Sequence, residues 1–421
     1  MGVNDRARPR FFYGWVVVGA AFVSHFINYG VLVVSFGIFF PFMAATLGWG
    51  RGLLASVTLV SRISSAAGAP VVGRAIDRHG PRVYMMIGGA AMAVGAALIS
   101  LTSQPWQMFA AYGVLMAVGG LALGPLSADS TVARWFVRRR GRALAFTTMG
   151  MSSAGVVLPI PLTLLIDGAG WRRAWVALGA FVLVLALVVA PLMRKRPEDY
   201  GMVPDGASEE EVAQGGRRVV DEVSLTAREA MRTPAFWLLL ISTNFAGFAI
   251  SGVNLHIFSY ITDRQIEPGQ AAVVITYLYF LQSVAKPLWG FAAERMHVRF
   301  CLAACYAGGA AGILLLMGAS SLPHLAVFAT VYGLTRGAQS FVSSLAWSDY
   351  FGREAQGAIR GTAQPFGLIS SAGGPVLGGF LFDLRSDYVL AFSVFVGAFV
   401  VSSIAALLAQ PPRRAPRPAT A

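Results

Sequence analysis

Long apolar runs, set apart by short charged segments, constrain this chain more than any other feature. A helix needs roughly 20 consecutive apolar residues to cross a hydrocarbon layer about 30 Å thick. Such runs fall at about 12–42, 52–73, 83–102, 106–133, 143–166, 173–193, 234–261, 270–293, 300–318, 324–349, 358–382 and 388–409. Backbone N–H and C=O groups facing lipid have to be satisfied inside their own segment, so each run predicts a helix. The expectation is an all-α membrane protein with twelve transmembrane helices. The apolar stretch behind the basic start MGVNDRARPR runs on to about Phe42 without a small-residue cleavage site. It therefore reads as a retained first span and not as a signal peptide.

Composition agrees with this. Hydrophobic residues make up 56% of the 421, charged residues 13%, and mean hydropathy is +0.63. Soluble chains carry about a quarter charged residues. This chain lacks the charged outer layer that a large soluble protein would need.

The net charge of +13 comes from 33 basic residues, all Arg except Lys195 and Lys286. They cluster between spans and not on one face or arm, which argues against a nucleic-acid partner. The termini and even-numbered loops hold 25 of them, among them Arg74, Arg78 and Arg82. The opposite loops hold five: Arg51, Arg172, Arg173, Arg264 and Arg385. By the positive-inside bias both termini are expected to be cytoplasmic, in the cell inner membrane. Three basic residues, Arg62, Lys286 and Arg336, are left inside spans.

The chain divides near its middle. Residues 1–193 predict a six-helix bundle, 194–233 a polar cytoplasmic linker, and 234–421 a second six-helix bundle with a short cytoplasmic tail. Late in the linker, SLTAREAMRTP predicts a short amphipathic surface helix. A faint repeat joins the halves. Gly73, Asp77, Arg78 and Arg82 follow the second span in the pattern G-x-x-x-D-R, with a further Arg four residues on. Gly290, Glu294, Arg295 and Arg299 repeat that pattern after the eighth. Two six-helix halves related by parallel repeats describe a transporter architecture.

The 73–82 segment resembles the loop motif of the major facilitator superfamily. More specifically, the chain resembles the monocarboxylate transporter family and its bacterial relatives, the oxalate/formate exchangers. The resembling stretches are Tyr13-Gly14-Trp15, SFGIFFPFMAATLGWGR (35–51), RWFVRRRGRALAF (134–146), RPEDYGMVPDG (196–206), HIFSYITD (256–263), AKPLWG (285–290), DYFGREAQGAIRG (349–361) and GGPVLGGFLFD (373–383). The resemblance implies a major facilitator fold of two pseudo-symmetric six-helix bundles. The chain departs from the family in places. No acidic residue precedes Gly14-Trp15. The first span carries no Lys, where Val34 stands near the position of the family's proton-linked one. Gln282 and Lys286-Pro287 stand where the family has an acid or Asn and then Arg-Pro.

Lys286 is the foremost candidate for chemistry. A cation inside a span costs about 2.5–3.5 kcal/mol on insertion scales, so it normally faces a cavity or a partner. At helical spacing it shares a face with Thr276, Tyr279 and Gln282. That stripe could hold a substrate carboxylate, with the ammonium as counter-charge and Tyr279 and Gln282 as hydrogen-bond donors. The alternative is a Lys snorkelling to the surface. The resemblance implies the first role, since the family's Arg at this place binds the carboxylate. Lys lacks the planar fork of Arg, which leaves the anion's orientation open. Arg336, with Tyr332, Gln339 and Ser343 on its side, reads as a substrate contact or as a bridge to another helix. Arg62, beside Ser61, Ser64 and Ser65, allows the same two readings.

Asp129 is an acid inside the fourth span. Arg62 and Arg336 are candidate partners for it, and a place at the cytoplasmic mouth is the alternative. His25 shares a polar face of the first span with Asn28, Tyr29 and Ser35. An imidazole's ordinary pKa lies near physiological pH, so His25 or His256 could carry a coupled proton, or each could simply bond a neighbouring carbonyl. The resemblance adds that His256 matches a family histidine of the binding cavity. It also implies that Asp77 caps the N-terminus of the eleventh span and locks one access state, with Glu294 and Arg295 as the weaker copy. The plainer alternative is that Arg74, Arg78 and Arg82 fix topology. Cys301 and Cys305 lie one turn apart with no His or carboxylate beside them, so they read as small core residues and no metal site is expected.

The combined reading is a secondary transporter of a small organic anion, a mono- or dicarboxylate, working by alternating access as a proton symporter or an anion exchanger. Three buried cations against at most one buried anion are the physical argument for an anionic substrate. It is expected to be monomeric in the bilayer and to need no cofactor. Drug efflux on the same fold is the alternative, although a cationic drug would want a buried acid. A sensor would want a further cytoplasmic domain. An enzyme would want a nucleophile–base pair, a metal cluster or a phosphate loop, and the glycines at 373–379 lack the Lys-Ser/Thr that such a loop requires.

Overall fold

A computed structural model describes residues 12–136, 140–202, 226–337, 339–351 and 356–412, without the side chains of Asp77 and Glu294 among others. These residues are helical almost throughout. Among the described residues, eleven helices are long and apolar enough to cross a membrane: Gly14–Leu47, Arg51–Ile76, Pro81–Ser100, Pro105–Val132, Arg142–Ala169, Trp171–Leu192, Pro234–Thr262, Pro268–Ala293, Val298–Gly318, Phe366–Arg385 and Val389–Leu408. They are spans 1–9, 11 and 12. The expected tenth span is described as helix over Leu322–Arg336 and Gln339–Phe351, on either side of position 338.

Local signals set most of the ends. Pro opens spans 3, 4, 7 and 8 at or near the first helical position, where its missing N–H has no helical partner to lose. Span 2 continues as helix to His79, and Gly80 turns the chain at φ 87° before Pro81 starts span 3. An L-residue rarely adopts that φ, which explains the glycine of the loop motif. The expected surface helix is short, Ala227–Met231, and is held by a reciprocal cap between Thr226 and Glu229. Spans 1 and 4 each contain a wide π-turn, Gly30–Ser35 and Phe109–Met116. Apolar side chains such as Ile87, Val94, Leu187, Leu314 and Leu408 stay exposed, as a lipid-facing surface requires.

By packing, the chain forms two compact units. The first comprises 1–35, 60–154 and 165–219; the second comprises 36–59, 155–164 and 220–421. Residues 36–59 and 155–164 thus group with the later spans, not with the first six. In the first unit small residues let backbones touch. A Cβ on Gly88 would come within 2.5 Å of the Gly119 carbonyl oxygen, and one on Gly119 within 2.8 Å of the Gly88 oxygen. Spans 3 and 4 therefore meet at backbone contact, the packing mode that replaces the hydrophobic effect in lipid. In the second unit, aromatic rings fill the centre. Tyr260, Tyr388, Phe392 and Phe395 form a connected cluster, with Tyr260 and Phe392 4.6 Å apart. Cys301 and Cys305 of span 9 are both buried free thiols.

Candidate functional site

Spans 8 and 10 are held together along their length. The Tyr277 hydroxyl lies 3.1 Å from that of Thr330, and Trp289 Nε1 donates to the Leu334 carbonyl at 2.8 Å. Between these ties two glycines bring the helices close. A Cβ on Gly333 would sit 2.8 Å from the Leu278 oxygen, and one on Gly337 only 2.3 Å from that of Gln282. The matched steps, 278 to 282 and 333 to 337, show that the two helices run in parallel and in register. Arg336 is therefore level with Gln282, and Lys286 lies one turn further along, about 5.4 Å. Both cations are half-buried.

The predicted stripe on span 8 is present as a set of largely buried groups. Tyr279 and Gln282 are buried, and Tyr279 lies against Gly155, where a Cβ would come within 2.2 Å of its ring. The buried Thr276 Oγ1 and Gln282 Nε2 have no hydrogen-bond partner among the described residues. Buried polar atoms are nearly always paired, so such orphans mark a place where a ligand or water belongs. Tyr332 points elsewhere. Its ring is fully buried, stacked 5.5 Å from Phe328 and packed edge-on against Phe399, with Arg336 5.8 Å from its centroid.

A second cluster, also inside the second unit, forms around Arg51, which the charge distribution places only as a loop residue. Arg51 grips Asp263 through both guanidinium nitrogens, at 2.6 and 2.8 Å. It also donates to the Tyr388 hydroxyl at 2.8 Å and lies 3.9 Å over the Phe382 ring. Asp383 accepts from the backbone N–H of Arg51 and of Gly52, each at 2.7 Å. A carboxylate from the end of span 11 thus caps the N-terminus of span 2, where free N–H groups and the helix dipole favour negative charge. Burial pushes the Tyr388 hydroxyl pKa upward, and Arg51 opposes the shift.

His256 joins this cluster. Its Nδ1 lies 3.0 Å from the Tyr388 hydroxyl and its Nε2 2.8 Å from the Pro375 carbonyl. Because the Tyr388 oxygen accepts from Arg51, its proton is free to go to Nδ1. Nε2–H then donates to Pro375. Each donor in the chain Arg51–Tyr388–His256–Pro375 finds its acceptor when the imidazole is neutral. The sequence signal was present in the resembling stretches: GWGR ends on Arg51, HIFSYITD begins on His256 and ends on Asp263, and GGPVLGGFLFD ends on Asp383.

In the first unit the polar face of span 1 serves span 4. Gly124-Pro125 interrupts that helix, leaving carbonyls without intrahelical donors. The Ser24 hydroxyl donates to one of these, the Leu123 carbonyl, and Asn28 Nδ2 donates at 2.6 Å to the Gly120 carbonyl, which also accepts the Gly124 N–H. Asp129 pairs with His25 at 2.8 Å, so the acid's partner is neither of the two arginines considered for it. His25 is fully buried, and its Nδ1 has no partner among the described residues. Tyr29 is half-buried and Arg62 is exposed.

The loop motif is anchored to the end of span 6. Arg82 Nη2 donates to the Pro191 carbonyl at 2.7 Å, and Lys195 Nζ to that of Arg78 at 2.9 Å. Gly73 lies within the helix, and Arg78 and Arg295 are exposed. The capping role of Asp77 and the parts of Gly290 and Glu294 fall on side chains or positions outside the described set.

The sequence profile of the Major Facilitator Superfamily matches residues 18–272 and 239–421. The chain belongs to that superfamily. As a major facilitator protein it is a multi-pass membrane transporter and not an enzyme. Human monocarboxylate transporter 11 is 27% identical over 406 residues, covering 93% of this chain and 81% of that protein. Human monocarboxylate transporter 2 is 25% identical over 417 residues, covering 94% and 85%. The oxalate:formate antiporter of Oxalobacter formigenes is 25% identical over 258 residues, 59% of this chain and 56% of that one. The major facilitator fold is also that of a bacterial homologue of the human lysosomal transporter Spinster, solved in an inward-facing, occupied conformation. Its TM-score is 0.69 at 14% identity, with 94% of this chain and 96% of that one covered.

Proposed function

We propose that this major facilitator protein carries a small organic anion with a carboxylate group, and that Lys286 and Arg336 hold that group. The observation that carries the proposal is the register of spans 8 and 10, which puts two half-buried cations within one helical turn of each other. Gln282 Nε2, level with Arg336, is a donor without a partner among the described residues. Relatives named for monocarboxylates and for oxalate and formate support the same class. Tyr279 borders this group. Arg62, Tyr29 and Asn28 of the first unit are kept as candidate substrate contacts on their chemistry alone.

Within this proposal the protein has both termini in the cytoplasm, lies in the inner membrane and works as a monomer, with six spans in each half. The direct test is a thermal-shift screen of the purified protein against mono-, di- and aromatic carboxylates, because a ligand of the native state raises the melting point. No shift from any carboxylate at millimolar concentration would remove the proposal.

For coupling, His25 is the better proton carrier of the two histidines. One of its nitrogens meets Asp129 and the other is unpartnered among the described residues, whereas both nitrogens of His256 are engaged. If the protein is a symporter, uptake should rise as the external pH falls. His25→Gln should flatten that response while leaving the carboxylate-induced thermal shift in place. A pH-independent rate in the unaltered protein, with strong stimulation by internal anion, would instead establish exchange.

A further inference from the structure

The second unit contains a cavity of about 360 Å³ between spans 7, 10 and 11, in the size range of small-ligand sites. Thr243 and Asn244 line it from span 7, Trp347 from the second helix of span 10, and Ser370 and Ser371 from span 11. No Lys, Arg, Asp or Glu lines it among the described residues. Its chemistry differs from that of the Lys286–Arg336 pair.

What decides its preference is where the wall's own protons go. The Thr243 hydroxyl donates to the Leu239 carbonyl at 2.8 Å, and Asn244 Nδ2 to that of Leu240 at 2.8 Å. The Ser370 hydroxyl has the Asn244 Oδ1 and the Gly367 carbonyl as acceptors, each at 3.1 Å. The Ser371 hydroxyl donates to the Leu368 carbonyl at 3.1 Å. Each hydroxyl has one proton and two lone pairs. With these protons committed to backbone and amide oxygens, this part of the wall presents lone pairs, and Ser343 and Ser344 add further hydroxyls to the lining. A carboxylate would find no cation here to compensate it. A neutral O–H donor would find several acceptors, and the Trp347 ring supplies an apolar flank.

We infer that this cavity is a binding site for a polyhydroxylated chain, so that the preferred ligand is a sugar-acid-like anion. The hydroxyls occupy the acceptor-lined cavity and the carboxylate lies outside it. The carboxylate end of this inference rests on the function proposed above; the cavity's preference for hydroxyls does not.

Isothermal titration of the purified full chain with gluconate, hexanoate and sorbitol separates the two. Gluconate is expected to bind at least roughly tenfold more tightly than hexanoate, the scale of two ordinary hydrogen bonds. Ser370→Ala should bring that ratio close to one. Thr243→Val, nearly isosteric, serves the same purpose if the first variant folds poorly, because the ratio is read within each variant. Lys286→Ala should weaken both acids alike and leave the ratio intact. Equal binding of gluconate and hexanoate would overturn the cavity's assignment and leave the carboxylate reading standing. Sorbitol binding that is lost in Ser370→Ala, with neither acid bound, would support the cavity and overturn the carboxylate reading. Binding of none of the three would overturn both.

Discussion

Lys286→Ala is expected to lower carboxylate uptake into proteoliposomes by roughly ten- to a hundredfold, with the protein still inserted and folded. The magnitude follows from the loss of a hydrogen bond to a charged group, about 1.5–3 kcal/mol. Each 1.4 kcal/mol corresponds to a factor of ten. A structural role would look different. Removing a half-buried cation from a span removes an insertion cost of about 2.5–3.5 kcal/mol, so the melting point should hold or rise while transport fails. Lys286→Arg restores the charge and adds a bidentate fork, and it should recover transport with an altered preference among anions. Normal uptake by Lys286→Ala would eliminate the central element of the proposed site.

Arg51→Ala is expected to produce the opposite pattern, a loss of stability. Arg51 ties span 2 to the ends of spans 7 and 11 and to Tyr388 within one compact unit. Its side chain is only 14% exposed, but that of Asp263 is 35% exposed. Solvent therefore screens part of the pair, and a fully buried ion pair is not the right reference. A charged hydrogen bond and a cation–π contact together suggest a loss of about 2 kcal/mol, seen as a fall of a few degrees in melting temperature. Arg51→Lys should recover only part of it, since an ammonium cannot grip both oxygens of Asp263 in the same way. An unchanged melting temperature in Arg51→Ala would show that the cluster does not hold this end of the unit together.

The contrast between these two arginine and lysine sites shows what could be read in advance. Span number and length were legible because bilayer thickness dictates them. Lys286 was legible because a cation in an apolar run breaks a strong rule. Arg51 was not, because at a span end a cation satisfies the topology rule and needs no further explanation. Its partners Asp263 and Asp383 lie more than two hundred residues away, and no periodicity connects them. The polar face of span 1 was visible, but its purpose was not. Ser24 answers a helix break about a hundred residues later, at Gly124-Pro125, and Asn28 adds a second donor just ahead of it. Asp129 was correctly seen as an unusual acid; its partner was a histidine on that same face.

The two cysteines carry a practical consequence. Cys301 and Cys305 are the chain's entire thiol content, and they are 0% and 2% exposed. Inert when buried, they leave the folded protein silent to maleimide reagents. A cysteine introduced at an exposed position such as Arg82 or Arg385 would react against a blank background, and an impermeant reagent added to sealed vesicles would report which side of the bilayer that position occupies. The native sequence thus already provides the cysteine-free background that such labelling usually has to create by mutation.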